Sequence, residues 1–470
     1  MEIAFDSEKY INSQKEEIIK KVQQYGKLYF ELGGKLLDDH HASRVLPGFV
    51  PDTKMKIISE LKDISELVIC VNSENIQNGR IRSDYNTLYT DDCLKLITQY
   101  REMGFDVSGV VLTLFKNQEK AVDFKKLLES MGENVYVSRF AENYPFDENA
   151  AFEAFKASDY IKTTKPLVIM TSSGSASGKL SASLGQIYNE YLRGNKVGYA
   201  KYDIFPVWNL ATNHPINLAF KAATADSNDQ ILVDTYYLKK YNKVVSNYNR
   251  DLNVFPIIRK VLTLANDGVE PYSTPTEMVL NTMKDSILSE EIVSKMCYEE
   301  VCRRYLTYQK QFVRGQIDSK PIYRVKKIMD ENSITMDSLG VVNIAREIFS
   351  KNQNKLMGVL ELRSGEIVEV TKSDDKKFFV DMLLALLKSC GVSFENEARI
   401  DEQFIMNYLI ENDLTNELYE TLHNCNMHTS CVISSEDEKD IKKFGVNLTC
   451  EPVKLEKLLE SKKEKTTNWF

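Results

Sequence analysis

The sequence predicts an α/β protein. A large doubly wound, mostly parallel sheet with a P-loop-like strand–loop–helix comes first, then a helical segment, then a smaller C-terminal α+β domain. Three observations predict it. Short apolar runs alternate with amphipathic stretches from Lys27 to Val261. A Gly/Ser-rich turn joins one run to a helix-like segment near residue 179. Beyond Pro321 the alternation gives way to a hairpin signal and mixed elements.

The runs are Leu28–Phe30, Leu67–Val71, Val107–Leu114, Val135–Val137, Leu167–Met170, Val197–Tyr202 and Ile231–Val233. Each is short and rich in β-branched or aromatic residues, as strands buried on both faces are. Helix-like segments at Asp91–Met103, Glu119–Met131 and Ala150–Tyr160 separate several of them. Gly104 and Gly132 fall where C-cap glycines belong. Strand–helix–strand alternation means right-handed crossovers, so the seven runs predict one parallel sheet.

From Thr274 to Gln316 the pattern reads as helical, with Thr274 as N-cap and Pro275 in the first turn. Met357–Arg363 and Ile367–Thr371 flank Ser364-Gly365-Glu366, a hairpin signal. Phe378–Cys390 reads as an amphipathic helix. Cys431–Ser434 and Asn447–Cys450 read as strands, and the charged tail from Leu459 as frayed. The resulting division is 1–265, 266–320 and 321–470, in keeping with roughly 150 residues per domain.

Composition narrows the function. The 470 residues carry 60 Lys+Arg against 68 Asp+Glu, a net charge of -8. That argues against a nucleic-acid coat. No apolar run of about eighteen residues occurs, so no membrane span is expected. The N-terminus is charged and lacks a signal-peptide core. The 8 cysteines are dispersed, as reduced thiols in a cytoplasmic protein are.

The strongest chemical signal is LVIMTSSGSASGKLS at residues 167–181. A buried strand runs into Ser173, Gly174, Ser175, Ser177, Gly178 and Lys179, and a helix follows. Leu180, Leu184, Ile187, Tyr188 and Tyr191 form one helical face, and Gly194 closes it. Free N–H groups and the dipole at such a helix start favour an anion, and Lys179 adds a point charge. The P-loop pattern is Gly-x4-Gly-Lys-[Ser/Thr]. Here Ser173 takes the first glycine's place and Leu180 that of the hydroxyl which contacts magnesium. The structural alternative is a tight strand–helix turn with a surface lysine.

Asp203 and Asp234 each end an apolar run. Either suits the metal-holding acid of a P-loop enzyme, with magnesium and a nucleotide as the implied cofactors. Either also suits an N-cap of the helix that follows. Asp226 and Asp229 read as turn residues. Lys35, Asp38, His41 and Arg44 follow the first strand, and Arg80 and Arg82 the second. If these loops converge, Lys35, Arg44, Arg80 and Arg82 grip a polyanionic substrate. In Asn247–Asp251, Asp251 reads as an N-cap and Arg250 as a pairing residue. His423, Cys425, His428 and Cys431 offer only one zinc-like pair, and buried small thiols are the favoured reading.

Tyr29-Phe-Glu-Leu-Gly-Gly-Lys-Leu-Leu-Asp-Asp-His-His-Ala-Ser-Arg-Val-Leu-Pro-Gly-Phe49 resembles the opening signature of the bacterial domain of unknown function 1846 family. Ser177-Gly-Lys-Leu180, Ala223-Thr-Ala-Asp226, Asn247-Tyr-Asn-Arg-Asp251 and Asn447-Leu-Thr-Cys-Glu-Pro452 are similar to its later blocks, so the resemblance spans nearly the whole chain. It implies a cytoplasmic bacterial protein with a P-loop-like α/β region, a helical segment and a C-terminal α+β part, and no particular activity. This chain departs from the family's loop, which is richer in Gly and Pro. The sequence thus predicts a phosphorylated small molecule as partner, with no nucleic acid or membrane, and self-association through helical faces outside the main core. The leading expectation is a nucleotide-dependent transferase or ligase. The alternatives are a phosphometabolite isomerase or lyase without NTP turnover, and a non-catalytic binding or assembly protein.

Overall fold

A computed structural model describes residues 2–33, 40–82, 87–172, 174, 176–227, 230–351, 355–395 and 397–451. The chain forms two compact units, one of Ile3–Asn217 with Asp229–Glu290, the other of Met1–Glu2, Leu218–Asn228 and Glu291–Phe470. The first contains strands β1 (Leu28–Leu32), β2 (Ser65–Asn72), β3 (Ile81–Arg82), β4 (Thr87–Leu88), β5 (Asp106–Phe115), β6 (Val135–Arg139), β7 (Leu167–Ser172), β8 (Gly198–Tyr202), β9 (Ile231–Val233), β10 (Ser246–Tyr248) and β11 (Val279–Leu280).

Seven of them form one sheet in the order β11-β8-β1-β7-β2-β5-β6. Every pairing in it is parallel. Successive side chains alternate between the faces. Tyr29, Val68, Met170 and Tyr199 share a core with Leu184 and Ile187 of the helix Lys179–Leu192 and with Ile258 and Leu262 of the helix Asn249–Ala265. On the opposite face, Tyr10 of the helix Ser7–Tyr25 shares a 3.0 Å hydroxyl–hydroxyl hydrogen bond with Tyr202. Helices therefore cover both faces, as an all-parallel sheet requires.

Six of the seven predicted runs lie in this sheet. The seventh, Ile231–Val233, pairs with β10 as a separate antiparallel ribbon. Its middle residue, Leu232, is exposed, so the run marks a partly solvated ribbon and not a buried strand. The place at the edge is taken by β11, two residues within the stretch expected to be helical. That stretch holds two short 3-10 turns around β11, and the long helix runs from Glu290 to Val313. Thr274 does cap the first turn: its side chain accepts the Glu277 N–H while Glu277 accepts the Thr274 N–H, a reciprocal cap.

The second unit carries β12 (Met357–Glu361), β13 (Ile367–Thr371), β14 (Asn426–Thr429) and β15 (Asn447–Cys450). They form a mixed sheet, β13-β12-β14-β15, antiparallel except for β14 with β15. The expected hairpin is present, and the helix Phe378–Ser389 packs its apolar face into this unit's core. Cys431–Ser434 is not a strand: β14 has already ended, and Ser434 caps the helix Ser435–Lys443. The tail from Leu459 lies outside the described residues. All eight cysteines are free. No helix among the described residues is long and apolar enough to cross a membrane.

Candidate functional site

The strand order places the chemistry. From β1 the chain moves to β2, β5 and β6 on one side. It returns at β7, then crosses β1 to reach β8 on the other. Ligands of open α/β sheets bind at such a reversal, outside the carboxyl ends of the strands. Three neighbouring strand ends meet here. After β7 comes the loop to Lys179, after β1 comes Gly33, and after β8 comes Asp203.

The β7 loop is held from two directions. The Asn72 side-chain amide, at the end of β2, donates to the Ala176 carbonyl at 3.0 Å. The Thr113 hydroxyl on β5 donates to the Ser177 carbonyl at 2.5 Å. Tyr89 lies against Gly174. Gly178 caps the helix Lys179–Leu192 with φ 75°, a conformation glycine adopts without strain. A Cβ there would also stand 2.8 Å from the Thr113 side chain. Gly178→Ala is therefore expected to cost about 1–3 kcal/mol. Chemical denaturation measures it, and a neutral result would mean that the turn adopts another conformation.

Lys179 is 9% exposed. Its Nζ donates to Ser172 Oγ at 2.8 Å and reaches Ser177 Oγ at 3.5 Å. The Ser172 hydroxyl in turn donates a hydrogen bond to the Gly174 carbonyl at 2.9 Å. Among the described residues no carboxylate forms an ion pair with Lys179. Burial pulls its ammonium below the ordinary lysine range, against the upward pull of Glu31. The first N–H groups of the helix it opens have no partner in a preceding turn. A buried cation whose hydrogen-bond partners among the described residues are hydroxyls, at the positive end of a helix, is arranged to receive an anion.

Beside it lies a buried charge network that sequence reasoning missed. Lys201 on β8 is 1% exposed. It ion-pairs with Asp251 at 2.6 Å and Asp203 at 2.9 Å. Burial lowers the Lys201 pKa, but the two carboxylates outweigh it and hold the ammonium above the ordinary range. Burial raises Asp251, but Lys201 and Arg250 outweigh it and hold that carboxyl low. Glu31, opposite Lys201 in the β1–β8 register, accepts the Tyr199 hydroxyl at 2.9 Å. Asp251 is not the N-cap expected: the helix starts two residues earlier, at Asn249, and turns Asp251 inward. The available signals were a lysine inside the apolar run Val197–Tyr202 and an acid beginning the apolar face of the next helix.

The other expected residues separate. Asp234 is fully buried as the N-cap of the helix Thr235–Tyr241. It accepts the N–H groups of Tyr236 and Tyr237 at 2.9 and 3.0 Å and the Thr276 hydroxyl at 2.6 Å. Arg44 lies on the short helix His40–Val45. Arg80 is exposed and donates to Asn75 Oδ1 at 3.4 Å. Arg82 contributes backbone to β3, and its side chain lies outside the described residues, as do Lys35, Asp38, Ser173, Ser175 and Asp229. Tyr191, expected on the buried helical face, is exposed. In the other unit, His428 bonds Thr449 and Glu451. Among the described residues no group of three or more His, Cys, Asp or Glu side chains is arranged to hold a metal ion.

A family model described as domain of unknown function DUF1846, N-terminal, matches residues 3–333. Its C-terminal companion matches residues 411–459. A UPF0371 protein of Clostridium tetani is 34% identical over 492 aligned positions, covering 96% of this chain and 98% of the relative. UPF0371 proteins of Clostridioides difficile and Clostridium botulinum (strain Kyoto / Type A2) are 33% and 32% identical, with the same shares covered.

Proposed function

The chain belongs to the DUF1846 family, and we propose that it is an enzyme that binds a phosphorylated small molecule, with the phosphate on the Gly174–Lys179 loop. The observation that carries this reading is the Lys179 ammonium, buried at a helix start with two serine hydroxyls as its polar contacts. Phosphate would supply the missing negative charge and accept the loop's N–H groups, as in P-loop-like sites. Lys179 would then stabilise charge on a phosphoryl or departing group, by electrostatic positioning.

The residues fit a magnesium-dependent nucleotide less well. Leu180, in the place of the usual hydroxyl, is buried. Asp234 is taken up by its cap, and Asp203 shares Lys201 with Asp251. These contacts favour phosphometabolite chemistry without NTP turnover over phosphoryl transfer from a nucleotide.

The test is a thermal-shift panel of inorganic phosphate, sugar phosphates and nucleotides, each with and without magnesium. A ligand that binds only the folded state raises the midpoint by mass action. A shift from sugar phosphates without magnesium, lost in Lys179→Met, is the expected result. A shift that requires both nucleotide and magnesium would restore the transferase or ligase reading. Equal shifts in wild type and variant would remove the loop from the site.

A further inference from the structure

We infer that Tyr144 is a ligand-contacting residue, whose buried hydroxyl donates a hydrogen bond to a phosphate oxygen of the bound molecule. This rests on the phosphate reading above and adds to it a residue from the loop after β6.

The first observation is an unsatisfied hydroxyl. Tyr144 lies between β6 and the helix Glu148–Lys156, where the chain leaves the carboxyl end of the sheet. Its ring packs against the core that holds Tyr29, Val168 and Tyr199, which fixes the direction of the hydroxyl. The oxygen is buried and has no hydrogen-bond partner among the described residues. Leaving a buried hydroxyl unpaired is costly, and native folds do it rarely. Phenylalanine would fill the same space without that cost. The oxygen is accounted for by a partner that arrives from outside the chain.

The second observation is what surrounds it. The hydroxyl lies within electrostatic reach of Glu31, Asp251 and Arg250, yet bonds none of them. The two carboxylates already have donors. Glu31 takes the Tyr199 hydroxyl at 2.9 Å. Asp251 takes Lys201 at 2.6 Å and Arg250 Nε at 3.5 Å. Glu31 and Arg250 also act on Lys179. The unpaired phenol and the buried ammonium therefore share two charged neighbours, one on β1 and one on the helix Asn249–Ala265.

The third argument is the direction of the bond. Burial, and then Glu31 and Asp251, hold the phenol above the ordinary tyrosine range, against the pull of Arg250. The proton stays in place at neutral pH, so the hydroxyl offers a donor. A donor forms its stronger bonds to an oxygen that carries negative charge. Phosphate presents such oxygens in several directions. Lys179 would offset its charge, while Tyr144 would fix its orientation without adding charge.

The experiment measures affinity by isothermal titration calorimetry for inorganic phosphate and glucose 6-phosphate. The proteins are wild type, Tyr144→Phe and Lys179→Met. Tyr144→Phe removes one oxygen and keeps the ring. Without ligand it should melt no lower than wild type, because the hydroxyl it loses had no partner. Its affinity for both probes should fall about ten- to a hundredfold. Wild type labelled at tyrosine Cζ gives a second readout by NMR. The resonance that is missing from Tyr144→Phe should move as phosphate is added. If Tyr144→Phe binds both probes as wild type does, or that resonance stays still at saturating phosphate, the contact is overturned while the phosphate reading stands. A variant that melts lower than wild type would make the hydroxyl a brace of the fold and would also overturn it. If neither probe binds wild type, or both bind Lys179→Met equally well, the phosphate reading falls and this inference with it.

Discussion

Lys179→Met is expected to raise the melting temperature of the ligand-free protein while abolishing its response to phosphate ligands. The two effects have one cause. The ammonium is desolvated, with hydroxyl contacts at 2.8 and 3.5 Å in return. Such bonds contribute about 1 kcal/mol each. They do not offset the loss of water around a full charge. Methionine keeps much of the apolar stem and removes the charge. Ser172 is not stranded, because it already donates to Gly174. A gain of about 1 kcal/mol, or about 2–4 °C, follows for a unit of this size. The pH dependence gives an independent reading. The folded ammonium titrates below the ordinary 10.5, mainly because it is buried. Unfolding therefore takes up a proton between that lowered value and 10.5. Wild type gains stability as pH rises through this window. The methionine variant lacks the gain, so the two melting curves should converge as pH 10.5 is approached. A variant that melts lower than wild type at neutral pH would make Lys179 a brace of the fold instead of a group kept for a ligand.

The sheet was legible in the sequence because its strands are buried on both faces. Leu67–Val71 and Leu167–Met170 are continuous apolar runs for that reason, and both are central strands. At the margins the signal fails in both directions. Val279–Leu280 is a two-residue edge strand, too short to show a period, while Ile231–Val233 has the right composition but pairs outside the sheet. The loop was legible because glycine, serine and lysine between a strand and a helix have a local geometric meaning. Asp203 was legible for the same reason: it ends a run. Its neighbours were not. Glu31 and Lys201 are 170 positions apart in the chain, yet the β1–β8 register sets them side by side. Asp251 reaches Lys201 from a third element. Nothing local distinguishes an acid that caps a helix from one that turns into the core. Asp234 and Asp251 fell on opposite sides of that ambiguity.

Lys201→Met is expected to cost about 3–5 kcal/mol, the usual consequence of removing one partner from a buried ion pair. The substitution leaves two carboxylates facing one another. Asp251 is fully buried and, among the described residues, retains Arg250 as its ion-pair partner, with Nε 3.5 Å away. The pH dependence separates this from simple loss of packing. In wild type the Lys201 ammonium is held above 10.5 because the carboxylates outweigh its burial. Its stabilisation is complete below 10.5 and disappears as pH rises through the raised value. The Asp251 carboxyl is held below 3.8 because Lys201 and Arg250 outweigh its burial. Its contribution is present above 3.8 and disappears as pH falls through the lowered value. In the methionine variant a proton on either carboxylate relieves the repulsion. The gap between wild type and variant should therefore narrow towards acid pH, and again at strongly alkaline pH, where wild type loses its own ammonium. A packing defect would give a gap that does not depend on pH. The double variant Lys201→Met with Asp251→Leu removes both charges and should recover much of the loss, a coupling that independent sites would not show.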